Sequence, residues 1–141
     1  MKDAIGSVPL YNFIIIFIVI TFGFLSATLM YYKAFKLNSK IAYALEEFEG
    51  YNSESSKEIN RVLGSIGYRT TGKANCGNRR GMSRIATSGV NYPICVYESK
   101  IKDGYFNYGV VTYIYMDIPV IGGTFKIPVY SESERIFKFS K

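Results

Sequence analysis

Two cysteines, Cys76 and Cys95, and a nearby run of cations are the residues of this chain best suited to chemistry. A lone cysteine pair in a small domain suits one disulfide under oxidising conditions, and two unrelated buried thiols in a reducing compartment. There is no CxxC, so neither a dithiol redox motif nor a zinc site is supported. Cys76 lies in a Gly- and Asn-rich segment with little core of its own. Such a segment gains most from a staple, which favours the disulfide. Five cations, Arg69, Lys73, Arg79, Arg80 and Arg84, fall between Arg61 and Glu98 with no acid among them. They suit an anionic-ligand patch, for DNA or an anionic cell-wall polymer, but read first as a solvated basic loop.

The chemistry of an enzyme is hard to assemble from the remaining residues. The sequence contains no histidine, which removes the commonest general base and the commonest transition-metal ligand. Serines and cysteines are thereby left without the usual activating partner. Carboxylates cluster at Glu46, Glu47 and Glu49 and at Glu132 and Glu134, where they read as solvated charge. Gly64-Ser65-Ile66-Gly67 ends a helix rather than preceding one, so it is no phosphate loop. Tyr105, Tyr108, Tyr113 and Tyr115 are able to stack on bases or sugars, but on a strand such residues more often form core and cross-strand pairs. The expectation is a non-enzyme with no cofactor and no metal.

The elements that must carry these residues begin with an uncharged apolar run from Phe13 to Met30. With Leu10, Tyr11 and Asn12 it reaches the roughly 20 residues that an α-helix needs to cross a bilayer. Leu25-Ser26-Ala27 is a poor signal-peptidase site, and the run is long for a cleaved signal. Pro9 suits a first helical turn. Beyond Lys33 the spacing of Leu37, Ile41, Ala44 or Leu45, and Phe48 makes one apolar stripe, so the helix is expected to continue from about residue 9 to about residue 49. The domain reading is a short N-terminal leader or flank at 1–8, a transmembrane helix at 9–32, and an α+β domain at 33–141. The net charge of +6 falls after the span, since Lys2 and Asp3 cancel.

Ser55 and Glu58 fit a capping box for a short helix that buries Ile59, Val62, Leu63 and Ile66 and ends at Gly67. Residues 69–93 lack any period, with a short strand or helix allowed at 82–86. Strands are expected at 94–102 and 105–118, joined by Asp103-Gly104, a hairpin signal. Gly122-Gly123 turns the chain into another strand, and 135–139 alternates as a terminal one. An antiparallel meander of three or four strands should lie against the amphipathic half of the long helix.

This order of elements resembles the type IV pilin and pseudopilin superfamily, most closely the Tad-type, TadE-like minor pilins. The resemblance implies a structural or assembly subunit of a type IV or Tad-type pilus, or of a related secretion filament. It implies an extracytoplasmic domain, and partners that include the membrane, a prepilin peptidase and other pilin subunits met through the N-terminal helix. A peptidase site would fall at Gly6-Ser7. The family's glutamate, five residues into the mature helix, falls on Tyr11 here. Lys33, Lys36 and Lys40 after the span favour a cytosolic domain by the positive-inside rule, although the rule weakens for long trailing domains. The alternative reading is a bitopic membrane sensor or binding module with an α+β ligand-binding domain.

Overall fold

A computed structural model describes residues 2–68, 71–72, 74–118 and 123–138. The chain divides into two compact units, Met1–Tyr32 and Lys33–Lys141. Its elements are α1 (Lys2–Glu47), α2 (Ser53–Ile66), β1 (Ser83–Ile85), β2 (Cys95–Lys100), β3 (Tyr105–Ile118), β4 (Gly123–Glu132) and β5 (Ile136–Phe137).

The first unit is the apolar part of α1. Phe13, Phe17, Phe22 and Phe24 are exposed, as are the Ile and Val residues between them. Among the described residues α1 is the helix long and apolar enough to cross a membrane. The hydroxyls of Thr21 and Thr28 donate to the carbonyls of Phe17 and Phe24 one turn earlier. These two hydroxyls of the apolar run are thus satisfied within the helix, as an apolar medium would require. The helix starts at Lys2 rather than near residue 9 and runs through Pro9. A proline inside a helix loses the bond to the carbonyl four residues earlier and crowds that carbonyl, yet the turns on either side continue past it here.

In the second unit the remainder of α1 buries Ala34, Leu37, Ile41, Ala44 and Leu45. The last four pack with Ile59, Val62 and Leu63 of α2 and with Val96, Tyr108, Val110 and Ile136 of the sheet in one core, while Ala34 packs with Ile114 and Val129. α2 is capped by Asn52, three residues before the expected cap. The Asn52 Oδ1 accepts from the backbone N–H groups of Glu54 and Ser55, and the Ser55 hydroxyl oxygen accepts from the Asn52 N–H. Asn is as good a cap as Ser, and its reciprocal partner at N3 need not be an acid. Ile66, expected on the buried face, is exposed in the last turn before the left-handed Gly67.

The sheet is antiparallel, in the order β1-β2-β3-β4. Asp103 and Gly104 both take positive φ (65° and 81°) and join β2 to β3. β5 pairs with the start of β3 rather than extending the meander beyond β4. The β4 ladder ends where Glu132 opposes Gly109. Ser133 then exchanges bonds with the Tyr108 backbone, and the chain rejoins the same edge of β3 at Phe106. Pro128 lies in β4, an outer strand, where a missing N–H is tolerated. Residues 119–122, with the expected turn, lie outside the described residues, so the Gly122-Gly123 signal is represented only by Gly123 at the start of β4.

Candidate functional site

Successive residues of a strand face opposite sides of the sheet. Val96, Tyr108, Val110, Thr112 and Ile114 therefore face the helices, while Cys95, Tyr97, Val111, Tyr113 and Tyr115 face away. That second face carries its own apolar cluster, formed by Cys95, Tyr97, Val111 and Tyr113. Ala74, Cys76 and Met82, from the segment between α2 and β2, pack against it. A polar, aperiodic segment thus serves as the cover of a sheet face.

Named bonds hold that cover down. Cys76 and Cys95 form a disulfide with their Cα atoms 5.7 Å apart. The Tyr97 hydroxyl donates to the Gly77 carbonyl at 2.7 Å, and the Tyr113 hydroxyl to the Asn75 carbonyl at 2.8 Å. The Ser99 hydroxyl donates to Gly81 at 2.9 Å. The Arg79 guanidinium sits 3.6 Å from the centroid of the Tyr130 ring and 5.9 Å from that of Tyr97. Gly109 makes room for this stack, because a Cβ there would fall 2.7 Å from atoms of the Tyr130 ring.

The five cations of the basic run divide by environment. Arg79 stacks on tyrosine, Arg84 donates to the Cys76 carbonyl at 3.4 Å, and Arg80 is exposed. Arg69 and Lys73 lie outside the described residues. A cation absent from the basic run, Lys126 of β4, lies 4.1 Å over the Tyr113 ring on the same face. Nothing in the local sequence of Lys126 marks it. The available signal is register, since Tyr115 opposes Lys126 and Tyr113 opposes Pro128.

Burial pushes the Tyr113 hydroxyl above its ordinary pKa. It does the same to Tyr130, helped by the bond from that hydroxyl to the Glu132 carboxylate. Both phenols are neutral near pH 7 and serve as fixed donors. Tyr68 is pushed up to about 12, chiefly by burial. Its hydroxyl accepts from the Tyr113 N–H at 2.9 Å, capping β3 just beyond its last pair with β2.

The carboxylates are more engaged than solvated charge would be. Glu46 accepts from the Glu134 N–H, and Glu132 from Asn107 and Tyr130. Tyr108 is fully buried and donates to Glu98, which also accepts from Lys138 at 2.8 Å. Gly6 and Ser7 lie in the helical backbone of α1. Among the described residues no three His, Cys, Asp or Glu side chains group as metal ligands.

No protein-family model matches the chain, and no curated protein or solved structure is similar to it.

Proposed function

We propose that this protein is a non-enzymatic, membrane-anchored structural or assembly subunit, minor-pilin-like, of a type IV or Tad-type pilus or a related secretion filament. The observation that carries the reading is α1 itself. Between Val8 and Leu25 it exposes apolar side chains all round, and beyond Lys33 it buries one stripe in an α+β core with an antiparallel sheet. An exposed apolar helix of that length needs lipid or other helices around it. Gly23, Ser26 and Ala27 supply small side chains at which neighbouring helices approach closely, and the space beside Gly23 is open. The disulfide suits a domain outside the cytosol. Gly6-Ser7 is the site at which a prepilin peptidase would release the leader.

A Ser26→Cys variant, oxidised in intact cells, tests the packing. Disulfide-linked multimers from copies meeting through α1 are the expected product. A species that stays monomeric at every expression level contradicts the filament and favours a lone bitopic module.

A further inference from the structure

The covered face of the sheet contains a cleft of about 440 Å³, between residues 75–79 and the β3–β4 ribbon. Its walls carry Arg79 on one side and Lys126 on the other, and among the described residues no acidic side chain lines it. We propose that this cleft binds a small anionic saccharide, a sugar unit bearing a carboxylate or a phosphate.

Three features select that chemistry. First, both cations are positioned by aromatic rings, Arg79 by Tyr130 and Lys126 by Tyr113. A guanidinium held against a ring keeps a fork of donors that matches an oxyanion. Second, the lining mixes Tyr97, Val111, Tyr113 and Pro128 with Asn75 and Asn78, which suits a sugar that presents both C–H and hydroxyl groups. The Tyr97 and Tyr113 hydroxyls spend their protons on Gly77 and Asn75. What they offer a ligand is lone pairs, and sugar hydroxyls can donate to those. Third, the volume lies within the usual range of small-molecule sites, roughly 300–1,000 Å³. The Cys76–Cys95 bridge fixes the loop before any ligand arrives, which lowers the ordering cost of binding. Glu132, held by the Tyr130 hydroxyl, stands outside the lining. The inference does not depend on the filament reading, and either can fail alone.

The test uses the full chain in lauryldimethylamine oxide micelles, which contain neither sugar nor phosphate. Glucuronic acid, glucose 1-phosphate, glucose and inorganic phosphate are titrated separately and followed by ligand-detected NMR. Both anionic sugars should saturate, with glucose and inorganic phosphate each about tenfold weaker, the usual scale for losing one hydrogen bond to a charged group. Raising the salt should weaken the anionic sugars and leave glucose unchanged. Lys126→Gln should weaken both anionic sugars about tenfold, and Arg80→Gln, outside the cleft, should leave them unchanged. If Lys126→Gln lowers the melting temperature, Lys126→Arg keeps the charge and must retain binding. Equal binding of glucose or of inorganic phosphate overturns the proposal. So does unchanged affinity in folded Lys126→Gln, or the lack of saturation by either anionic sugar at millimolar concentration.

Discussion

The side chain of Asn38, fully buried on α1, accepts a 2.5 Å hydrogen bond from the hydroxyl of Thr112 at the middle of β3. The Asn38 amide nitrogen donates in turn to the Val129 carbonyl of β4, at 2.8 Å. One asparagine thus joins the helix to two strands inside an otherwise apolar core. Its partners fix the register of α1 on the sheet, because a buried amide displaced from them would stay unsatisfied. Asn38→Leu should destabilise the domain by about 1–3 kcal/mol, the cost of stranding the Thr112 hydroxyl and the Val129 carbonyl. Thr112→Val added to Asn38→Leu should cost less than the sum of the two single changes. Thermal unfolding followed by circular dichroism reads both. Strict additivity would mean that the two groups do not act as a pair.

The disulfide staples a covering loop and leaves the helix-facing core alone. Cys76→Ser with Cys95→Ser should remove about 3 kcal/mol on the loop-entropy estimate for a closure of this size. Hydrogen exchange should accelerate across 74–86, while α2 and the Val96–Val110 pair stay protected. Uniform acceleration would show instead that the bridge supports the whole domain.

The Glu98–Tyr108–Lys138 group sets a pH window. Burial pushes the Glu98 carboxyl up, but bonds from Lys138 and Tyr108 outweigh it and hold the group below its ordinary value of 4.5. A depressed carboxyl contributes stability above its unfolded pKa and loses it as pH falls through the folded value. For Lys138, burial pulls down, and the bonds to Glu98 and Tyr108 outweigh it and raise the ammonium above 10.5. Its contribution is complete below that value and disappears as pH rises through the folded one. Lys138→Met should therefore move the onset of acid unfolding to higher pH and remove part of the alkaline loss. An acid limb unchanged in the variant would separate Glu98 from acid stability.

Gly109 permits the Tyr130–Arg79 stack. Gly109→Ala should cost about 1–3 kcal/mol by overpacking, since its methyl group meets the Tyr130 ring. Tyr130→Ala in the same chain should recover part of that loss. No recovery would place the strain elsewhere.

Much of the fold is legible in the sequence because its elements obey local rules. The α1 stripe of Leu37, Ile41, Ala44 and Leu45 is buried as its spacing implies, and β3 occupies the aromatic and β-branched run at 105–118. The paired positive-φ residues Asp103 and Gly104 announce their own turn. Asn38 is different, because a polar residue beside an apolar stripe reads as solvated until its tertiary partners are known. The covering loop has no period to find, since it is held by the disulfide and by tyrosine hydroxyls on carbonyls rather than by an apolar stripe. The cleft sets Arg79 of the covering loop against Lys126 of β4, so only the docking of that loop on the sheet brings the two charges together.

The most direct measurement on a filament subunit is where it is found on the cell. Cells expressing the protein at its native level are sheared, and the released material is examined by immunoblot and immunogold electron microscopy. A subunit of a pilus or secretion filament is expected in the sheared fraction, labelled along filaments and dependent on the prepilin peptidase. Protein confined to the membrane fraction, with no labelled filaments and an intact Met1 terminus in cells that carry the peptidase, would contradict it.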